Sequence, residues 1–243
     1  MARFSFSARS LAVGALAFAG IGTAIVLFGY AANTGTGREA ESGSRSAAVS
    51  VVSDAGASGG QAVKFGAASG SERVITTAYT TAYTWYDNTP PGSAIISNPI
   101  IHSTASGTGT YQDPITVAVG HDLSSGHDVL DFAAGTIMYF ADLRRYFIVE
   151  DTCGDGPTPQ NGPCHQGVNA DGSGSTIWLD VWIGGQSGSE SAVQACAGKV
   201  TDGNGQLHTV VINPRSNYAV ASGNGVFHDG LCDANYGNQL VTQ

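Results

Sequence analysis

The sequence predicts an exported, disulfide-braced, all-β domain that fills about the last 170 residues of a 243-residue chain. Three observations carry this. Short β-branched and aromatic runs alternate with Gly-rich turns from residue 74 onward. Four cysteines, an even number, lie within the same stretch. The N-terminus reads as an export signal.

The N-terminal 37 residues carry Arg3 and Arg9 and no other charge, and an apolar run from Leu11 to Tyr30 follows the second arginine. About 20 apolar residues can also span a bilayer, so residues 1–32 fit a cleaved signal peptide or a signal anchor. Gly29 and Ala31 are small enough for cleavage. An uncleaved segment would keep the arginines inside. Both readings place the rest of the chain outside the cytoplasm, and membrane association through this segment alone. Residues 33–73 are rich in Gly, Ser and Ala, with little apolar surface to offset ordering entropy, and read as a flexible linker.

Residues 74–243 form the predicted domain, with strands expected at 74–85, 115–119, 136–140, 146–151, 177–183 and 207–212. Short additions are expected at 218–221 and 225–227. Such a set suits a small barrel or sandwich. One helix is expected, with Ser189 as cap, Glu190 in its first turn and Gly198 at its end. Cys153, Cys164, Cys196 and Cys232 allow three connectivities. Cys153–Cys164, which closes a short loop, with Cys196–Cys232 is the favoured one. No CxxC or HxxxH spacing supports zinc. Asp171 to Ser175 has the start of a calcium loop but lacks its closing Glu. No metal or other cofactor is expected.

From Val74 the chain carries 4 basic residues (Arg144, Arg145, Lys199, Arg215) against 15 acidic ones. That balance repels phosphate backbones and argues against nucleic acid as a partner, leaving neutral ligands such as glycans. Arg144-Arg145 reads as a solvated turn.

The segment Ile177–Gly185 is the most informative. Alternation puts Ile177, Leu179, Val181 and Ile183 on a core face, and Trp178, Asp180 and Trp182 on the other. A carboxyl between indoles is poorly solvated. Its raised pKa would suit a general acid, and the indoles would offer platforms for sugar rings. The competing reading buries the tryptophans under a loop. In the first strand Tyr79, Tyr83, Trp85 and Asp87 share a face, as a groove wall or as a core face ending in an Asx turn. Asp151 shares a face with Phe147 and Val149, which places it at a barrel end, capping a turn or serving as a second carboxylate. Two carboxylates across a groove are what glycoside hydrolysis requires. The candidate catalytic residues are therefore Asp180, Asp151 and Asp87, and the candidate substrate-binding residues Tyr83, Trp85, Trp178 and Trp182.

The ordered set Thr81-Ala82-Tyr83-Thr84, Ala118-Val119, Gly135-Thr136, Val149-Glu150-Asp151-Thr152, Leu179–Gly184 and Ala192–Gly198 resembles the double-psi β-barrel superfamily. It is most similar to the "3D" domain of lytic transglycosylases and stationary-phase wall proteins. The superfamily also holds rare lipoprotein A-like proteins, expansins and family 45 glucanases. The resemblance implies a six-stranded double-psi barrel with one short helix and long disulfide-braced loops. It also implies action on a cell-wall polysaccharide, peptidoglycan or β-glucan, by a monomer. In the lytic transglycosylases the acid matching Asp180 protonates the glycosidic oxygen. In the glucanases Asp180 matches one of two acid–base residues and Asp87 the other. Expansins keep the acid without hydrolysis. The chain departs from the pattern in three places. The third Asp is displaced, with Asp122 nearest. An insertion runs from Cys153 to about Ser175. Trp178-Leu179 replaces a basic residue. Two other readings stay open, a non-catalytic carbohydrate-binding module and a secreted protein-binding barrel that uses the 153–164 loop with Pro157, Pro159 and Pro163.

Overall fold

The structure is a computed structural model that describes residues 49–53, 56, 60–65 and 71–243 except Asn204. The export segment at residues 1–32 lies outside the described residues. The chain divides into two units, residues 1–66 and 67–243. In the first unit, within the stretch read as a linker, β1 (Val49–Ser53) and β2 (Gln61–Phe65) pair as an antiparallel hairpin.

The second unit contains a closed six-stranded barrel. Its elements, in chain order, are β3 (Arg73–Tyr83), β4 (Ile115–Val119), the short hairpin β5 (His121–Asp122) and β6 (Val129–Leu130), β7 (Ile137–Phe140), β8 (Arg145–Thr152), α1 (Pro163–Gln166), β9 (Ile177–Trp182), α2 (Glu190–Val200), β10 (His208–Ile212), and the hairpin β11 (Phe227–His228) and β12 (Leu231–Cys232). The barrel closes in the order β10-β3-β9-β4-β8-β7, with β3–β9 and β4–β8 parallel and the other neighbours antiparallel. All six principal strands expected from the sequence are present. The barrel, rather than the sandwich, is the architecture.

Alternation sorts the side chains. Met138, Phe140, Phe147, Val149, Val117, Val181, Val210 and Ile212 fill one large core cluster. The intervening Tyr139, Tyr146 and Val211 form a second, smaller cluster with Tyr218, on the opposite face of the same strands. Both faces of the barrel wall are therefore covered, and β4, β7, β8 and β10 are buried along almost their whole length. Tyr139 stacks on Tyr218 with centroids 4.7 Å apart.

Two expectations fail for identifiable reasons. The helix does not end at Gly198. α2 runs through it to Val200, held by the Ser189 cap at its start and by burial of Val193, Cys196, Ala197 and Val200. Arg145 is not solvated: it is wholly buried, and its guanidinium donates to the carbonyls of Ala221, Ser222 and Gly225 and to Asp233. A buried guanidinium persists because its donors find acceptors. Arg144 takes the hairpin turn with φ of 47° and lies over the Tyr236 ring. Both favoured disulfides, Cys153–Cys164 and Cys196–Cys232, are formed.

Candidate functional site

One row of residues crosses four adjacent strands. Thr81 on β3 pairs with Asp180 on β9, Asp180 pairs with Ala118 on β4, and Ala118 pairs with Asp151 on β8. Two strand spacings separate the Asp151 and Asp180 backbones, about 10 Å. On the strand between them the paired residue, Ala118, carries only a methyl group. Asp87, from the turn after β3, completes a cleft of about 300 Å³ with Tyr83, Ile96, Ser97, Asp151, Cys153 and Asp180 on its walls. All three candidate carboxylates line this one cleft.

Asp151 reaches the cleft by a route that alternation misses. The β4–β8 register shifts between Val117 and Ala118, so that Val117 faces Val149 but Ala118 faces Asp151. This β-bulge turns Asp151 away from the face of Phe147 and Val149 that plain alternation assigns it, while Asp151 stays, as expected, at the end of its strand. Glu150 and Asp151 then divide the labour. Glu150 is fully buried and accepts the backbone N–H groups of Ile100, Ile101 and His102 on Oε1. Its Oε2 accepts Thr116 Oγ1 and bonds His102 Nδ1 at 2.7 Å, while His102 Nε2 bonds Asp113. Burial alone would lower the His102 pKa, but the two carboxylates outweigh it and raise it. This arrangement fixes the 95–102 loop that forms one wall of the cleft. Asp151 accepts Ser97 N, Ser97 Oγ and Thr152 N on Oδ1, and Tyr83 OH on Oδ2.

Asp180 is held differently. Trp178 Nε1 donates to Thr81 Oγ1 at 2.8 Å, and Thr81 Oγ1 donates to Asp180 Oδ1 at 2.7 Å. An indole N–H can only donate, so the Thr81 hydroxyl turns its own proton toward Asp180. Burial is the main cause that pushes the Asp180 carboxyl up to about 7; Asp87 and Asp151 add to it, and the Thr81 bond opposes it. The carboxyl is therefore substantially protonated near neutral pH, and Oδ1 is committed as an acceptor. Asp87 is exposed, with Oδ1 taking Thr84 N and Thr84 Oγ1. It thus caps the turn and lines the cleft at once.

The four aromatic candidates do not form one wall. Tyr83 lines the cleft through its hydroxyl. Trp182 is only 3 % exposed and packs edge-on against Tyr83 at 5.1 Å, so its faces are unavailable as a platform. Loops cover the strand end where it sits, and it borders a separate hollow with Gly107 and Phe227. Trp85 is half-buried against the core. Trp178 packs on Tyr79 and borders a different cavity. Asp122 lies on the β5–β6 hairpin, where it accepts Ser124 N, and does not line the cleft. Asp171 is bonded by Tyr79 OH, and among the described residues no group of three or more His, Cys, Asp or Glu is placed to hold a metal ion. Ser97 and Thr81 escape a reading of the sequence alone. The Thr81 contact had a signal, since it lies two residues before Tyr83 on the aromatic face, but its partner depends on the parallel β3–β9 register.

Fold and site together define a class: a closed mixed barrel with a carboxylate-lined cleft and a disulfide-bridged loop beside it. The chain belongs to the family described as the DDB_G0273701 N-terminal domain, whose profile matches residues 75–233. A relative in Dictyostelium discoideum, the uncharacterized protein DDB_G0273701/DDB_G0273221, is 35 % identical over 140 residues, 58 % of this chain. The match spans about half of that protein's length, 52 %. No solved structure matches the chain.

Proposed function

We propose that the chain is an extracytoplasmic, glycan-acting protein of double-psi type that cleaves or loosens a cell-wall polysaccharide with Asp180 as general acid. The observation that carries this reading is the Asp180 carboxyl itself, pushed up to about 7 in an open cleft that also holds Asp87 and Asp151. An acid with a pKa near the working pH is protonated often enough to donate and strong enough to release its proton. In a hydrolytic reaction the acid protonates the leaving oxygen while Asp87 or Asp151 activates water. Four hydrogen bonds hold Asp151 rigidly, whereas those of Asp87 to Thr84 fall on Oδ1 alone, which favours Asp87 as the base. Supporting features are the acidic surface, which suits a neutral polymer, the two disulfides, and the two parallel strand pairs within a six-stranded closed barrel.

The test is incubation of the full chain and its Asp180→Asn variant with peptidoglycan, cellulose, xyloglucan and β-glucan, reading released sugars by mass spectrometry. Product from the native chain, reduced by about 10²–10⁴-fold in the variant, is expected for a lost general acid. An anhydro end marks transglycosylase chemistry and a reducing end hydrolysis. No product on any polymer, with retention on it unchanged by the substitution, removes the catalytic reading and leaves a binding module.

A further inference from the structure

A second cavity, of about 260 Å³, lies beside the cleft, bordered by Trp178, Phe132, Asp131, His165, Thr176 and Cys164. It adjoins the cleft in two ways. Trp178 precedes Asp180 by two positions on the same face of β9, and the Cys153–Cys164 disulfide has one cysteine on each lining. Half of these residues come from the insertion that departs from the double-psi pattern or from its edge.

Two glycines permit this assembly. A Cβ on Gly120 would collide with His165 Cα and lie 2.5 Å from Asp131 Oδ2. A Cβ on Gly167 would lie 2.8 Å from the Trp178 backbone nitrogen, and its φ of 48° also favours glycine. Their absence of side chain lets α1 press against β9 and brings His165 Nδ1 to 2.6 Å from Asp131 Oδ1. With Nδ1 donating to that carboxylate, Nε2 is left for a ligand. The cavity thus offers an apolar ring beside an imidazole nitrogen, a carboxylate oxygen and the Thr176 hydroxyl. That combination suits a pyranose, which has C–H faces and a rim of hydroxyls. The volume falls just below the roughly 300–1,000 Å³ of drug-sized pockets, enough for one ring and not for an oligomer.

We propose that this cavity is a second sugar subsite, which holds one pyranose unit of the same neutral chain whose neighbouring linkage lies over Asp180. The assignment rests on the glycan reading of the cleft. It gives the 153–175 insertion a task, to extend the ligand path along β9 by one unit.

The test titrates the full chain carrying Asp180→Asn, in which turnover is expected to be slowed about 10²–10⁴-fold, with cellohexaose and chitohexaose by calorimetry. In that background Trp178→Ala should weaken binding of the preferred hexamer about tenfold or more and His165→Ala about threefold or more, while the corresponding disaccharide loses less. Trp178→Phe, which keeps an apolar ring, should recover part of the loss. His165→Ala stands outside the hydrogen bonds to Asp180, so its effect reports the cavity and not the acid, and circular dichroism checks that each variant folds. Hexamer binding unchanged by both alanine variants overturns the subsite and leaves the cleft reading intact. Equal losses for disaccharide and hexamer also overturn it, because they place the effect at the acid. Failure of both hexamers to bind overturns the subsite together with the glycan reading.

Discussion

At the scale of single residues, the state of Asp180 is set by a few neighbours whose effects have known sign. The Thr81 hydroxyl bond favours the charged carboxylate and so holds the pKa down against burial. Thr81→Val keeps the shape and removes the donor. The Asp180 pKa should then rise above about 7, followed as the pH dependence of its carboxyl carbon shift in a ¹³C-labelled chain. A titration that moves downward would show that the hydroxyl does not donate. Ala118 provides a steric test of the same place. Leucine there would project between Asp151 and Asp180 and fill the cleft. We expect Ala118→Leu to cost about 1–3 kcal/mol of stability by overpacking and, on the proposed glycan reading, to abolish retention by the polymer, with a far-UV spectrum still native. Polymer binding that survives in the folded variant would place the ligand elsewhere.

At the scale of elements, the strands were legible because β-branched and aromatic runs between glycine turns have one reading, and the face assignment of β9 was legible because Leu179 and Val181 alternate cleanly with Trp178 and Asp180. The bulge in β8 was not legible, since alternation makes no allowance for an extra residue, and it decides where Asp151 points. The burial of Trp182 was hidden for another reason: it depends on loops distant in sequence that cover its end of the barrel. Arg145 gave no sign of burial either, because most of its acceptors are backbone carbonyls at 221–225. Gly198 has the composition of a helix end, and its actual place inside α2 leads to an expectation. A Cβ built on it would meet no atom within 4 Å, and its φ is not positive. Gly198→Ala should therefore stabilise the protein by about 0.5–1 kcal/mol, measured by denaturant unfolding. Destabilisation would mean that the helix ends earlier than Val200.

At the scale of the whole molecule, two carboxyls dominate the dependence of stability on acidity. Burial pushes both Asp180 and Asp202 up to about 7, from an unfolded value of about 4. Between these limits the native state holds protons that the unfolded chain has released, so stability falls as pH rises from about 4 to about 7 and the loss is complete above that. His102, raised by its two carboxylates, adds a loss in the same direction. Glu72 and Asp113 act oppositely: hydrogen bonds overcome burial to lower both, and their contribution disappears as pH falls below about 4. His208, lowered by burial, opposes on the acid side of 6.5. The balance predicts greatest thermal stability between about pH 4 and 6 and a melting temperature lower by about 5 °C or more at pH 8, at ~2–4 °C per kcal/mol for a chain of this size. Asp202→Asn should flatten that profile, because the amide oxygen can still accept Thr80 N. A profile rising steadily from pH 5 to 8 would contradict the assignment of both groups.

The β8 bulge has a consequence for recognising relatives. Since Glu150 is the extra residue of the bulge, the loop-anchoring acid and the cleft-facing Asp151 come as an adjacent pair whose register sets both tasks. A homologue that lost one residue here would keep an acidic strand end and a similar score in any alignment, yet it would have to choose between holding its loop and presenting a carboxylate. Sorting family members by the register of this strand, rather than by the presence of acid, separates those that present a carboxylate opposite Ala118 from those that share only the barrel.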